Sequence, residues 1–324
     1  MGFQGWEKGS LLLSNGQLAE TVLPVVVSAS RATDIPAFYS KWFMDSLHNG
    51  YIKWVNPFNG KAQYVSFGNM RVIVFWSKNP KPMMHRLTEL DIQGINYYFQ
   101  FTLNDYVAEK WEPLVPPLET RVETFQALSE RLGKKRVIWR FDPLMLTEEM
   151  PVERLLERVD KVGNLIHPYT EKLVFSFADI SNYKKVQANL TRKNIQCQEW
   201  TPESMDLMAA GLSVLNKKWG LTLATCAEKL DLEKHGIEHN RCVDDRLMVS
   251  AFSDDAKLME FLGYKRDLFN GSTHQYVKDK GQRKECGCIV SKDIGMYDTC
   301  PHACVYCYAN TSPESVAKNR KLLE

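Results

Sequence analysis

Six short runs of apolar residues, rich in β-branched and aromatic side chains, recur along the chain as far as Ala227. They are PVVVSAS (24–30), VIVFWS (72–77), YYFQFTL (97–103), RVIWRFD (136–142), KLVFSFA (172–178) and LTLATCA (221–227). A strand wetted on one side alternates apolar with polar residues. A strand covered on both sides does not, so these runs read as parallel strands inside a covered sheet. The stretches between them carry helical periodicity. Pro117 to Gly133 spaces Leu118, Val122, Phe125 and Leu128 three and four residues apart, and Pro151 to Ile166 does the same with Val152, Leu155, Leu156 and Val159. PKPMMHRLTEL (80–90) follows the second run. Thr201-Pro202-Glu203 opens a further helix with a capping hydroxyl and a first-turn proline, and Gly220 ends it. YIKWVNP and AQYVSF flank Asn59-Gly60, which predicts a β-hairpin near 50–67 inserted in the first crossover. The alternation predicts an α/β fold, a (β/α)6-type partial barrel (TIM-like), over residues 1–235. Residues 236–324 read as short helices, a polar loop and a cysteine-rich C-terminal segment.

Bulk properties exclude several classes. A chain of 324 residues buries a sizeable core without disulfide staples. Forty-one Lys plus Arg against 39 Asp plus Glu leaves a net charge of +2, too little for a nucleic-acid groove or an anionic membrane. No run of 18 apolar residues predicts a membrane span, and MGFQGWEKGS lacks a signal-peptide pattern, so the expected location is cytoplasmic.

In parallel α/β sheets, chemistry gathers at the carboxyl ends of the strands. Arg31, Lys78, Asn104, Arg140, Asp142 and Cys226 fall there. Arg31 suits a carboxylate or phosphate, gripped by two parallel hydrogen bonds, unless Thr33 or Asp34 merely caps a helix before Pro36. Lys78 suits an anionic group or stands as a solvated loop cation. Two-residue periodicity places Arg140 and Asp142 on one face, as a buried ion pair or an active-site pair. These four are the candidate catalytic residues.

The eight cysteines are unevenly placed. None precedes Cys197, and Cys286, Cys288, Cys300, Cys304 and Cys307 fall together near the end. Clustered cysteines in a chain without a secretion signal read as a metal site rather than a disulfide framework. Cys300, Cys304 and Cys307 form C-x3-C-x2-C with Tyr306 before the third thiol. Three thiolates on one loop can hold three irons of a [4Fe–4S] cube and leave the fourth open, although thiolates also suit zinc. Cys226, Cys242, Cys286 and Cys288 make a second set of four, the complement of a closed cluster or of a zinc ion. Alternatively, Cys226 and Cys242 are buried apolar thiols, the reading that also suits Cys197. His235, His239 and His302 lie near cysteines, but a lone histidine is more often hydrogen-bonded than metal-bound.

The C-x3-C-x2-C spacing with an aromatic at Tyr306 resembles the radical S-adenosylmethionine (SAM) enzymes. That resemblance implies a [4Fe–4S] cluster on Cys300, Cys304 and Cys307, with the SAM amino and carboxylate groups on the open iron. It also implies Tyr306 near the adenine and reductive cleavage of SAM to a 5′-deoxyadenosyl radical. Asn104 joins Tyr306 as a candidate cofactor contact. In most radical SAM enzymes the loop follows the first strand. Here it follows the whole barrel and must fold back over the mouth. The wider strings CGCIVSKDIGMYDTCPHACVYCYAN and VVSASRATDIPAFY resemble an uncharacterised bacterial and archaeal family known as domain of unknown function 1848. The expected partners are a small-molecule substrate and an electron donor such as ferredoxin or flavodoxin, with no membrane and no nucleic acid. The competing functions are a non-catalytic iron–sulfur or zinc protein and a nucleic-acid repair lyase of the spore photoproduct lyase type.

Overall fold

The computed structural model describes residues 3–13, 16–56, 59–267, 271–273 and 277–323. Its strands, in chain order, are β1 (Glu7–Leu12), β2 (Leu18–Leu23), β3 (Val26–Ala29), β4 (Tyr51–Val55), β5 (Ala62–Ser66), β6 (Val72–Ser77), β7 (Asn96–Thr102), β8 (Val137–Leu144), β9 (Lys172–Phe177), β10 (Thr222–Thr225), β11 (Ile237–His239), β12 (Lys265–Asp267), β13 (Gly271–Thr273) and β14 (Lys292–Asp293). Its α-helices are α1 (Ile35–Phe38), α2 (Ser40–Asn49), α3 (Lys81–Met84), α4 (Leu87–Ile92), α5 (Leu118–Leu132), α6 (Val152–Ile166), α7 (Lys184–Arg192), α8 (Pro202–Trp219), α9 (Asp245–Ala251), α10 (Ala256–Phe261) and α11 (Pro313–Asn319).

Eight strands form one sheet in the order β11-β10-β9-β8-β7-β6-β3-β14, and every neighbouring pair is parallel. The six apolar runs are six of these strands, so the fold is α/β on a parallel sheet. Two short edge strands complete it, β11 next to β10 and β14 next to β3. Both come from beyond residue 235, so the segment read as a separate C-terminal unit contributes to the sheet itself. The predicted hairpin is β4–β5, antiparallel across Ile52–Val65. It pairs with an N-terminal hairpin, β1–β2, in a second sheet ordered β1-β2-β5-β4.

Two-residue periodicity sorts the strand residues onto two faces. Val27, Ile73, Phe75, Phe99, Trp139 and Phe175 point to one face and pack with Phe43 of α2, Phe125 of α5, Leu155 of α6 and Leu212 of α8. Val26, Val72, Val74, Tyr98, Ile138 and Val174 point to the other and pack with Val243, Met248 of α9, and Leu258 and Met259 of α10. Each such side chain, fully buried, contributes roughly 1.5–3 kcal/mol relative to exposure. The long helices end as their sequences dictate. Thr201 Oγ1 accepts from the Ser204 backbone N–H at 3.2 Å, Ser204 Oγ accepts from the Thr201 N–H at 3.0 Å, and Gly220 adopts φ 67° to close α8.

Candidate functional site

On the second face the apolar rows give way to polar groups towards the strand carboxyl ends. Val26 is succeeded by Ser28, Val74 by Trp76, Tyr98 by Gln100, Ile138 by Arg140 and Asp142, and Val174 by Ser176. Trp76, Arg140, Asp142 and Ser176 line a cavity of about 980 Å³, together with Arg31, Lys78 and Cys226 from the strand ends. The same cavity is lined by Cys242, Cys286, Cys288, Cys300, Cys304, Tyr306 and Cys307. Both cysteine sets thus meet the strand-end residues in one place.

The C-terminal segment reaches the cavity because β14 docks on β3. Asp293 Oδ2 accepts from Ser28 Oγ at 3.0 Å and from the Arg31 backbone N–H at 2.8 Å. Gly295 then passes so close to Ser30 that a Cβ there would collide with its side chain, and the Gly295 carbonyl accepts from the Trp54 indole at 3.0 Å. Further along, the Thr299 carbonyl accepts from the Tyr39 hydroxyl, the Val305 N–H donates to the Trp111 carbonyl at 3.0 Å, and Asn310 Nδ2 donates to the Cys300 carbonyl at 2.7 Å.

A buried charged cluster lies under this loop. Lys78 Nζ donates to Glu112 Oε1 at 2.7 Å and to the Tyr306 hydroxyl at 2.9 Å. Tyr306 donates to Glu112, Asn104 Nδ2 donates to the Tyr306 oxygen at 3.0 Å, and Arg121 lies 3.5 Å from Glu112. Burial alone would push the Glu112 carboxyl up, but Lys78 and Arg121 outweigh it and hold it below its ordinary range. Burial likewise opposes the charge on Lys78, yet Glu112 and then Cys304 raise its affinity for the proton. Lys78 therefore stands as a fixed cation beside the Cys304 sulfur. Asn104 is fully buried and does not line the cavity. Its amide is committed to Tyr306, Glu112 and the Asp142 backbone, so it supports Tyr306 rather than reaching a ligand. The Tyr306 hydroxyl is similarly occupied.

His302 is also accounted for locally. Its Nε2 lies 2.8 Å from Asp34 Oδ2. Asp34 caps α1 through the Ala37 N–H at 3.0 Å and accepts from Ser77 Oγ at 2.7 Å and the Lys78 N–H at 2.8 Å. The helix-cap reading of Asp34 therefore holds, and His302 pairs with a carboxylate. His235 pairs with Asp206 at 2.8 Å, away from the cavity lining. The Cys197 backbone pairs with that of Thr147 outside the cavity lining, and burial and then Glu199 push its thiol up to about 12.

The second cysteine set lies between two arginines. Cys226 Sγ and Cys242 Sγ are 3.6 Å apart. Cys242 also interacts with Cys288, and Cys288 with Cys286. Arg140 Nη1 donates to Cys242 Sγ at 3.0 Å, Asn240 Nδ2 does so at 3.0 Å, and the Val243 N–H donates to Cys288 Sγ at 3.4 Å. Arg31 interacts with Cys288, and its Nη2 is buried without a hydrogen-bond partner. Hydrogen bonds from Cys226 and Cys288 hold Cys242 well below the ordinary thiol range against the cost of burial, with Arg140 and Arg31 adding to the effect. The shared thiol protons and then burial push Cys226 and Cys288 up, so Cys242 is the thiol of this set that ionises most readily. Arg140 and Asp142 form the ion pair that their spacing predicts, through Arg140 Nε at 3.1 Å, with Ser176 donating to the same carboxylate.

Among the described residues, no three His, Cys, Asp or Glu side chains meet as a ready metal-ligand shell. Thiol chemistry nonetheless dominates the donors: seven cysteines and two buried guanidinium groups line the cavity, a set that suits thiolate-bound iron–sulfur or zinc. Sequence reasoning placed Arg31, Lys78, Arg140, Asp142 and all seven cysteines, and the structure brings these together. It missed Glu112, Arg121 and Trp76, which carry no motif.

No curated protein matches the chain. A crystal structure described as that of a "putative alpha-L-fucosidase" from Bacteroides thetaiotaomicron shares 10% identity over 60% of this chain and 84% of that one, with a TM-score of 0.26, a likeness too remote to carry an argument. Residues 26–309 match the family described as "Domain of unknown function (DUF1848)", a span containing every strand of the parallel sheet and every residue of the cavity lining. The chain belongs to that family.

Proposed function

We propose that the protein is a radical SAM enzyme, with a [4Fe–4S] cluster on Cys300, Cys304 and Cys307 and SAM at its open iron. The observation that carries this reading is the seating of the three-cysteine loop over the carboxyl ends of a parallel sheet, in one cavity with Lys78, Arg31 and Arg140. We read the open parallel sheet as a partial barrel of the (β/α)6 type, with this loop over its mouth. When bound, such a cluster supplies the electron that cleaves SAM to methionine and a 5′-deoxyadenosyl radical.

The chain's own residues supply charge, position and exclusion of water. Lys78, fixed by Glu112 and Tyr306, would offset the negative charge of a cluster-bound Cys304 thiolate. Arg31 offers a buried guanidinium nitrogen to an anionic group entering the cavity. Trp76 gives it a flat wall, with the Arg31 and Arg140 guanidinium carbons 5.0 Å and 5.2 Å from its ring centre. A small molecule is the substrate class that a cavity of this kind admits. The chemistry fits a reducing cytoplasm and an electron donor such as ferredoxin or flavodoxin.

Anaerobic reconstitution with iron and sulfide, followed by dithionite and SAM, is expected to release 5′-deoxyadenosine. Protein that carries the loop's iron yet never cleaves SAM overturns the proposal.

A further inference from the structure

We propose that Cys226, Cys242, Cys286 and Cys288 form a second site that takes a single tetrahedral, thiolate-loving metal ion of the zinc class. This inference stands apart from the radical SAM reading, since it uses none of the loop cysteines.

The first support is distance. Cys226 Sγ and Cys242 Sγ lie 3.6 Å apart. With a metal–sulfur bond of about 2.3 Å, a tetrahedral ion separates its sulfurs by about 3.8 Å. A [4Fe–4S] cube places each cysteine sulfur on a different iron, well beyond contact with its fellows. The spacing therefore matches ligands that share one ion.

The second support is the linkage of the remaining sulfurs. Cys288 Sγ accepts from the N–H of Val243, the residue after Cys242, and Cys286 lines the same cavity two positions earlier, so four thiols separated by up to 62 positions follow one another in one line of neighbours. Binding would gather this line into one shell. The segments that bring them together are tied to each other. The Ile289 N–H donates to the Val243 carbonyl at 3.1 Å, and the Gly287 N–H donates to the Asn240 carbonyl at 3.3 Å.

The third support is the surroundings. Three N–H donors from Arg140, Asn240 and Val243 point at the sulfurs of Cys242 and Cys288. Hydrogen bonds of this kind orient and stabilise metal-bound thiolates. Four thiolates on a divalent ion carry a net charge of −2, and the buried guanidinium groups of Arg31 and Arg140 flank that position. Arg140 is already paired with Asp142, so the guanidinium left for the sulfurs to balance is that of Arg31, whose Nη2 is buried without a hydrogen-bond partner, and a buried cation is costly unless paired.

The test separates this site from the loop. A variant with Cys300, Cys304 and Cys307 all replaced by Ala is purified anaerobically and supplied with zinc. Metal and acid-labile sulfide are then measured per chain. One zinc and no sulfide is the expected result. Adding Cys226→Ser and Cys288→Ser to that background is expected to abolish the zinc, with circular dichroism showing whether the fold persists. Cobalt(II) added to the loop variant before any iron, with its four remaining cavity cysteines intact, provides a measurement that does not depend on further substitutions. It is expected to give the intense visible bands of tetrahedral cobalt thiolate, bleached by one equivalent of zinc. Iron with stoichiometric sulfide at these four cysteines, or no zinc and no cobalt bands, overturns the inference. Neither outcome touches SAM cleavage by the loop, which is read separately.

Discussion

Glu112 stands behind the cavity wall and holds two of its residues, Lys78 and Tyr306. It lies between Lys78 and Arg121; Glu112 and Arg121 are buried and Lys78 is mostly covered. Glu112→Leu leaves these two cations without their anion, an arrangement that costs about 3–5 kcal/mol. Glu112→Gln keeps a hydrogen-bond acceptor and is expected to lose less. Urea denaturation of the two variants checks the order; equal losses would show that the charge is not what matters. Lys292 offers a test through pH. Burial lowers its ammonium to about 8 from an ordinary 10.5, with Asp293 partly opposing. Between those values the unfolded chain keeps a proton that the folded chain has lost, so this group makes the wild type more stable as pH rises. Below about pH 8 the burial cost is present in full. Lys292→Met removes the titration, so its stability relative to wild type is expected to fall steadily from pH 7.5 to about pH 10. A difference that stays flat with pH would refute the assignment. Strand-end Arg31, Lys78, Arg140 and Asp142 were legible because polar groups stand out after an apolar run. Glu112 was not, because it sits in the aperiodic stretch WEPLVPP and its partners are set by packing. The Asp34–His302 pair was hidden for a similar reason, since its two halves lie 268 positions apart.

At the scale of elements, the central strands were legible and the edges were not. β6 and β7 are buried almost end to end, which is why their sequences are nearly all apolar. β1 is mostly exposed, and its sequence EKGSLL has no pattern to distinguish it from a loop. β11 and β14 span only three and two residues, too short for any periodicity. What the helices need from each other is also invisible in one dimension. Gly163 in α6 lies against Trp219 of α8, and a Cβ there would come within 3.0 Å of three atoms of the indole ring. Gly211 in α8 meets Leu156, whose flexible end can move aside. Alanine is favoured over glycine within a helix by about 1 kcal/mol. For Gly163→Ala that gain is expected to be overwhelmed by overpacking of about 1–3 kcal/mol against a rigid ring. Gly211→Ala is expected to be near neutral. Denaturation midpoints for the pair check this contrast, and a stabilised Gly163→Ala variant would contradict it.

For the molecule as a whole, the consequential contact joins its two ends. Ser28 and Asp293 are 265 positions apart, yet their side chains bond and their strands pair. The sequence separation made the cysteine loop look like an appendage folded over a finished sheet. Instead, the segment that carries the loop supplies the sheet's own edge, so loop and sheet share one set of backbone bonds. Asp293 is the residue that fixes this edge, because its carboxylate accepts from Ser28 and from the Arg31 N–H and, at Oδ1, from the Gly295 N–H at 2.9 Å. Asp293→Ala strands these donors, and each buried donor left unsatisfied costs about 1–3 kcal/mol. Since β6 to β9 do not depend on that carboxylate, the loss is expected to fall on the edge alone. Hydrogen exchange followed by mass spectrometry is expected to show faster exchange across residues 289–310 in the variant, with β6 to β9 unchanged. Uniform acceleration across the chain would mean that the edge unfolds only with everything else, and that the cysteine loop has no local freedom to open over the cavity.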